Sequence, residues 1–120
     1  MPAETALAAL PFRGSLAEQL KRPHPARGVW LYWLGQAGFV VQAGGRRLVI
    51  DPYLSDSLAK KYRGTATPHD RMMPPPVTVE ELAPVDLVLL THQHTDHMDA
   101  ATLAPLAAHN PAARFVVPAA

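Results

Sequence analysis

At 120 residues, 48% of them hydrophobic, the chain is long enough to bury the core of one domain. A formal net charge of +1, with 18% charged residues and eight arginines that are scattered rather than clustered, provides neither a basic field for nucleic acid nor an acidic tail. The absence of cysteine excludes a disulfide framework and a thiolate metal site, residues 1–7 lack the positive start of a secretory signal, and no apolar run reaches the roughly 18 residues that span a bilayer; the expectation is a soluble cytoplasmic protein with no nucleic-acid partner and no integral membrane association.

Residues 1–28 read as a leader with one short helix. Ser15-Leu16-Ala17-Glu18 has the Ser-x-x-Glu spacing of a capping box, and Leu16 and Leu20 lie four apart, so a helix runs to about Arg22. Pro23 and Pro25 stop it, and His24 between them reads as a solvated loop residue rather than a ligand. Val29-Trp30-Leu31-Tyr32-Trp33-Leu34, rich in aromatic and β-branched side chains, predicts a strand that ends at the turn Gly35-Gln36-Ala37-Gly38. Phe39-Val40-Val41-Gln42-Ala43 then pairs with Arg46-Arg47-Leu48-Val49-Ile50, because Gly44-Gly45 supplies the positive φ angles of a tight hairpin. Three antiparallel strands result, with Trp30 and Trp33 as core or face-covering residues rather than a binding platform, and Arg46 and Arg47 at the solvated hairpin end.

Asp51-Pro52 ends the third strand. Residues 53–84 form a long connection of the kind used for lids and binding loops, and within it Thr78-Val79-Glu80-Glu81 signals a helical turn before Pro84. Arg63 or Arg71 offers a guanidinium to a phosphate-bearing substrate, against the plainer reading of both as solvated loop residues. His69 has no partner at metal-binding spacing. The apolar run Val85-Asp86-Leu87-Val88-Leu89-Leu90 is a buried strand, terminated by Thr91-His92-Gln93-His94-Thr95-Asp96-His97. Asp99 can cap a helix over about Ala100 to Ala108, which Pro105 either kinks or delays to Thr102. Asn110-Pro111 closes that helix, and Arg114-Phe115-Val116-Val117 returns as a strand beside Leu87 to Leu90, completing a right-handed βαβ unit before Pro118.

Three imidazoles and a carboxylate at the end of a buried strand form a candidate metal site. In an extended or turning backbone His92 and His94 project to one side, where two neutral ring nitrogens can share a cation. Asp96 and His97 come one turn later and suit a second cation. The competing reading is a solvated polar loop. Two divalent cations so held would bind a water and lower its pKa toward neutrality, giving a hydroxide nucleophile, while Asp96 ligates and also orients that hydroxide as the catalytic residue. An all-nitrogen-and-oxygen donor set leaves zinc and manganese both open. This equipment specifies metal-assisted hydrolysis of a small molecule without specifying the substrate.

His-x-His-x-Asp-His after a hydrophobic strand, with the earlier strand Leu48-Val49-Ile50-Asp51, resembles the metallo-β-lactamase superfamily of metal-dependent hydrolases. Trp33-Leu34-Gly35-Gln36-Ala37-Gly38-Phe39, the long connection and His97-Met98-Asp99 are most similar to its L-ascorbate-6-phosphate lactonase-like branch. The resemblance implies an α+β fold, an αβ/βα sandwich of two similar halves packed face to face, of which residues 29–120 are the N-terminal half. It implies that Asp51 lies near the metals and supports their ligands by hydrogen bonds, the alternative being an Asp that caps the next turn. It also implies opening of a sugar-phosphate lactone or cleavage of a phosphodiester, and it favours manganese. Relatives draw a further His, a bridging Asp and a last His from C-terminal positions that have no match here. The alternative function is therefore a truncated, non-catalytic metal-binding fragment whose exposed sheet face needs a continuation or pairs copies into a homo-oligomer.

Overall fold

The computed structural model describes residues 11–66, 70–94 and 97–119. Its centre is one mixed sheet in the order β1-β2-β3-β4-β5. β1 (Val29–Trp33), β2 (Phe39–Ala43) and β3 (Arg46–Ile50) are antiparallel, while β4 (Leu87–Leu89) runs parallel to β3 and β5 (Arg114–Val116) parallel to β4. Gly44 and Gly45, at φ 57° and 74°, make the expected tight hairpin. β1 stops one residue short of expectation because the Leu34 amide turns to donate to Gly38 O at 2.9 Å. Leu90 lies beyond β4 but still donates to Val116 O at 2.9 Å, so the β4–β5 pairing reaches the start of the histidine motif.

Among the described residues four helices accompany the sheet. α1 (Leu16–Lys21) begins where Ser15 Oγ accepts from the Glu18 amide at 3.1 Å. α2 (Ser57–Tyr62) follows Asp56, a favoured N-cap residue type that here makes no side-chain capping bond. α3 (Val79–Leu82) carries the full reciprocal box: Thr78 Oγ1 accepts from the Glu81 amide at 3.2 Å, and Glu81 Oε1 from the Thr78 amide at 2.8 Å. α4 (Ala100–His109) starts at Ala100 with Pro105 inside it. The start is not delayed to Thr102 because Asp99 accepts from the Ala101 amide at 3.3 Å and so closes the first turn. None of these helices, among the described residues, is long and apolar enough to cross a membrane.

Period-two alternation gives the sheet two unlike faces. Tyr32, Val40, Val49 and Val88 pair in one row across four strands, all buried. Leu16, Ala17 and Leu20 of α1, Leu82 of α3 and Leu106 of α4 close over that row to form the core. On the other face two rows run across the sheet, Leu31-Val41-Leu48-Leu87-Arg114 and Trp33-Phe39-Ile50-Leu89-Val116. These side chains are half-buried or exposed, Leu31 at 53%, Trp33 at 45% and Val116 at 47%.

Two leader and hairpin expectations need correcting. Arg47 is buried rather than solvated, because alternation turns it to the helix face while Arg46 faces out. Its guanidinium donates to Gln42 Oε1 (3.0 Å), Leu82 O (2.6 Å) and Leu20 O (2.7 Å), so one cation serves the C-terminal carbonyls of both α1 and α3. His24 is half-buried rather than a solvated loop residue: its Nε2 lies 2.8 Å from the Tyr32 hydroxyl, and its ring stands edge-on to Trp30 at 5.5 Å. Trp30 packs against the core, whereas Trp33 lies on the outer face with Nε1 donating to Gln36 O at 2.8 Å.

Candidate metal centre

Only β2 runs against the other strands, so β1, β3, β4 and β5 all finish at the same edge of the sheet. The turn after β1, Asp51 after β3 and the histidine motif after β4 are thereby brought together. Asp51 stands at φ 46°, a left-handed conformation uncommon outside glycine, and it is 3% exposed. Its amide continues the ladder to Leu89 O at 3.0 Å, which fixes the residue against the end of β4. Gly38 explains how the turn after β1 fits there. A Cβ at that position would sit 2.7 Å from Asp51 O, so only glycine permits the approach.

The Asp51 carboxylate faces the motif rather than a following turn. Oδ1 accepts from the Thr91 amide at 2.8 Å, and Oδ2 accepts from Thr91 Oγ1 at 2.6 Å and from His97 Nδ1 at 2.8 Å. With its hydrogen given to Asp51, Thr91 Oγ1 is the acceptor for His92 Nδ1, 3.0 Å away. A single set of tautomers satisfies this chain: Nδ1–H on both His92 and His97, with the lone pair on Nε2 of each. Burial works to raise the Asp51 pKa, and the hydrogen bonds from Thr91 and His97 outweigh it and hold the carboxyl below its ordinary value.

The three rings are neighbours. The His92 ring lies 3.7 Å from that of His97 and 4.7 Å from that of His94, centroid to centroid. The amides of His97 and Met98 both donate to His94 O, at 2.9 and 2.8 Å, which winds the motif into a turn. Asp96, and with it the expected second carboxylate, lies outside the described residues, as does His69. Among the described residues no three His, Asp or Glu side chains form a group that could hold a metal ion. The donor chemistry nevertheless fits a divalent cation, since neutral imidazoles oriented through Nδ1 by a carboxylate are the usual form of histidine ligands.

Two residues behave otherwise than the sequence indicates. Arg71 does not stand ready for a phosphate: it donates to Met73 O (2.9 Å), Tyr53 O (2.5 Å), Ser55 O (3.4 Å) and Leu34 O (3.3 Å), over the face of Tyr53. Burial lowers its pKa, against the pull of Tyr53 and Asp99. Arg63 is exposed, as its loop reading allowed. Asp99 caps α4 as expected, but it is also buried and receives hydroxyl hydrogens from Ser55, Ser57 and Thr102. Thr91 joins the site without having been singled out by motif spacing, although a hydroxyl residue directly before a His-x-His at a strand's end is a recognisable orienting group.

Residues 30–118 match the beta-lactamase superfamily domain. The chain is 33% identical over 95 residues to an N-acyl-phosphatidylethanolamine-hydrolyzing phospholipase D 1 of Caenorhabditis elegans, covering 79% of this chain and 26% of the relative. It is 36% identical over 86 residues to a UPF0173 metal-dependent hydrolase of Aeropyrum pernix, covering 72% of this chain and 28% of that protein. Among solved structures it is similar to Igni18, a metallo hydrolase from Ignicoccus hospitalis, with a TM-score of 0.50 and 26% identity, over 72% of this chain and 30% of that one. The chain therefore spans about a quarter of the length of these curated relatives.

Proposed function

Because the chain belongs to the beta-lactamase superfamily, we propose that it is the histidine-bearing part of a metal-dependent hydrolase, in which His92 and His94 hold one divalent cation and Asp96 and His97 a second. The observation that supports this most is the hydrogen-bond chain from Asp51, directly to His97 and through Thr91 to His92, which puts the lone pair of both rings on Nε2. When bound, the cations would supply an acidified water and polarise the carbonyl or phosphoryl oxygen of the substrate. Asp51 holds the two rings in one tautomer and orientation without touching substrate. Asp96 contributes a ligand oxygen and orients the attacking water. The substrate is a lactone or a phosphodiester; similarity to a protein named for hydrolysing N-acyl-phosphatidylethanolamine supports the second, and Trp33 to Phe39 with His97-Met98-Asp99 supports the lactonase-like branch.

A second reading has its own observation. The outer sheet face is apolar and open, and the chain covers only about a quarter of its curated relatives, as suits a half-domain that needs a continuation or a partner copy. The test is metal content of the purified chain and of a His92→Ala/His94→Ala variant. It is followed by assays on bis(p-nitrophenyl) phosphate and a small lactone with zinc or manganese supplied. Near-stoichiometric metal that disappears in the variant, with turnover of either substrate, supports the hydrolase. A chain that takes up no metal and sediments as a dimer or larger refutes it for this chain alone and supports the second reading.

A further inference from the structure

A helix cap needs one acceptor for an amide of the first turn, and Asp99 has far more around it. Oδ1 accepts from the Ala101 amide at 3.3 Å and from Ser57 Oγ at 3.0 Å, while Oδ2 accepts from Ser55 Oγ and Thr102 Oγ1, both at 2.6 Å. The hydroxyls extend the network, since Ser55 Oγ accepts from the Ser57 amide at 3.2 Å and Thr102 Oγ1 from the Leu54 amide at 3.0 Å. Both serines come from the segment that follows Asp51, more than forty residues earlier in the chain. That segment is gripped from its other side by Arg71 at the carbonyls of Tyr53 and Ser55.

Two backbone segments are therefore fastened to each other at two points. Residues 51–57 hold Thr91 and His97 at the front through Asp51, and Asp99 at the back through Ser55 and Ser57. His92 and His94 lie between Thr91 and His97, and all three histidines precede Asp99. We infer that Asp99 is a positioning residue for the metal ligands, holding the rear of the motif loop so that His97 meets Asp51 without an ordering cost when a cation arrives. The inference rests on the hydrolase reading for its purpose, but its geometry can be tested without it.

The test uses Asp99→Ala, with Leu103→Ala on the same helix as a control for general loss of stability. Two readouts are taken on the purified chain: proton exchange at His97 Nδ1 and at the Thr91 and His97 amides by NMR, and zinc affinity against a chromophoric chelator. Asp99→Ala should speed the exchange about tenfold or more and weaken zinc by about tenfold, at the lower end of the loss seen when a ligand's own hydrogen-bond partner is removed, while Leu103→Ala leaves both unchanged at a comparable melting temperature. If Asp99→Ala does not fold, Ser55→Ala/Ser57→Ala, which spares the cap, carries the same expectation. Unchanged exchange at His97 in a folded variant overturns the inference. A wild-type chain that binds no zinc defeats the hydrolase reading for this chain, and the exchange result still decides the role of Asp99.

Discussion

Replacing Asp51 by Asn changes one atom of the side chain and reverses the direction of a hydrogen-bond chain. The Asn oxygen can keep the Thr91 amide, which now lies 2.8 Å from Oδ1. The new NH2 group then takes the place of Oδ2, where Thr91 Oγ1 and His97 Nδ1 are now donors at 2.6 and 2.8 Å. A donor facing a donor cannot persist, so His97 must accept at Nδ1 and carry its proton on Nε2. Thr91 must likewise accept from the amide, and its hydroxyl hydrogen turns to His92 Nδ1, 3.0 Å away, moving that ring's proton to Nε2 as well. Both nitrogens assigned to metal are then blocked. Loss of an outer-sphere partner costs roughly 10- to 100-fold in metal affinity, about 1.4 to 2.7 kcal/mol, and two ligands are affected. We expect zinc affinity to fall by about 100-fold or more, while the fold survives because shape and most hydrogen bonds are kept. Nitrogen-15 NMR of the imidazoles reads the tautomers directly, and competition with a chelator reads the affinity. His92 and His97 still protonated at Nδ1 in the variant, or an affinity within about twofold of wild type, would refute the reasoning.

Arg47→Met removes three donors and leaves the Leu20 and Leu82 carbonyls without them, so urea unfolding should show a loss of about 2 to 4 kcal/mol, with Arg47→Lys intermediate because one ammonium cannot span the same fork. Gly38→Ala drives a methyl to 2.7 Å from Asp51 O, and calorimetry should record a destabilisation of about 1 to 3 kcal/mol together with altered His97 chemical shifts. Burial, then the Arg47 charge, lower the His24 pKa below its value of 6.5 in the open chain. The unfolded state therefore takes up its proton first, so this contribution to stability is complete above 6.5 and is lost as pH falls through 6.5 towards the folded value. Urea midpoints at pH 7.5 and 5.5 should differ more in the native chain than in His24→Gln, and equal differences would exclude His24 as the source.

Signals whose parts lie close together in the chain are legible in the sequence. The alternation in β2 and β3, the glycine pair between them and the Thr78-Glu81 box each place their own partners within a few residues, and each reads correctly. The histidine motif stands out because closely spaced His and Asp residues after a strand are a local pattern, and the structure brings Asp51 to Thr91 and His97 beside it. Arg47 is not, because hairpin position suggests solvent, and what buries it are carbonyls of α1 and α3 lying 27 and 35 residues away in either direction. Asp99 and Arg71 escape for the same reason: their partners in residues 53–57 are brought to them only by the fold. α2 has no capping bond of its own and is held by contacts such as Tyr53 Oη accepting from the Leu58 amide at 3.0 Å, which no periodicity announces.

The sheet's spatial order is also its order of synthesis. Each strand pairs with the one made just before it, so a chain emerging from the ribosome can add β2 to β1, β3 to β2, and then β4 and β5, always at the growing edge and never by insertion between strands already joined. Arg47 would secure α1 as soon as β3 and α3 have emerged, covering one face before the last strands arrive. Among the described residues β5 is the outermost strand, and beside Val116 and Val117, about half exposed, its outer edge can take a further strand. Ribosome-stalled chains of increasing length should acquire protease resistance stepwise in that order, with the Asp51–Thr91 contact among the last to form.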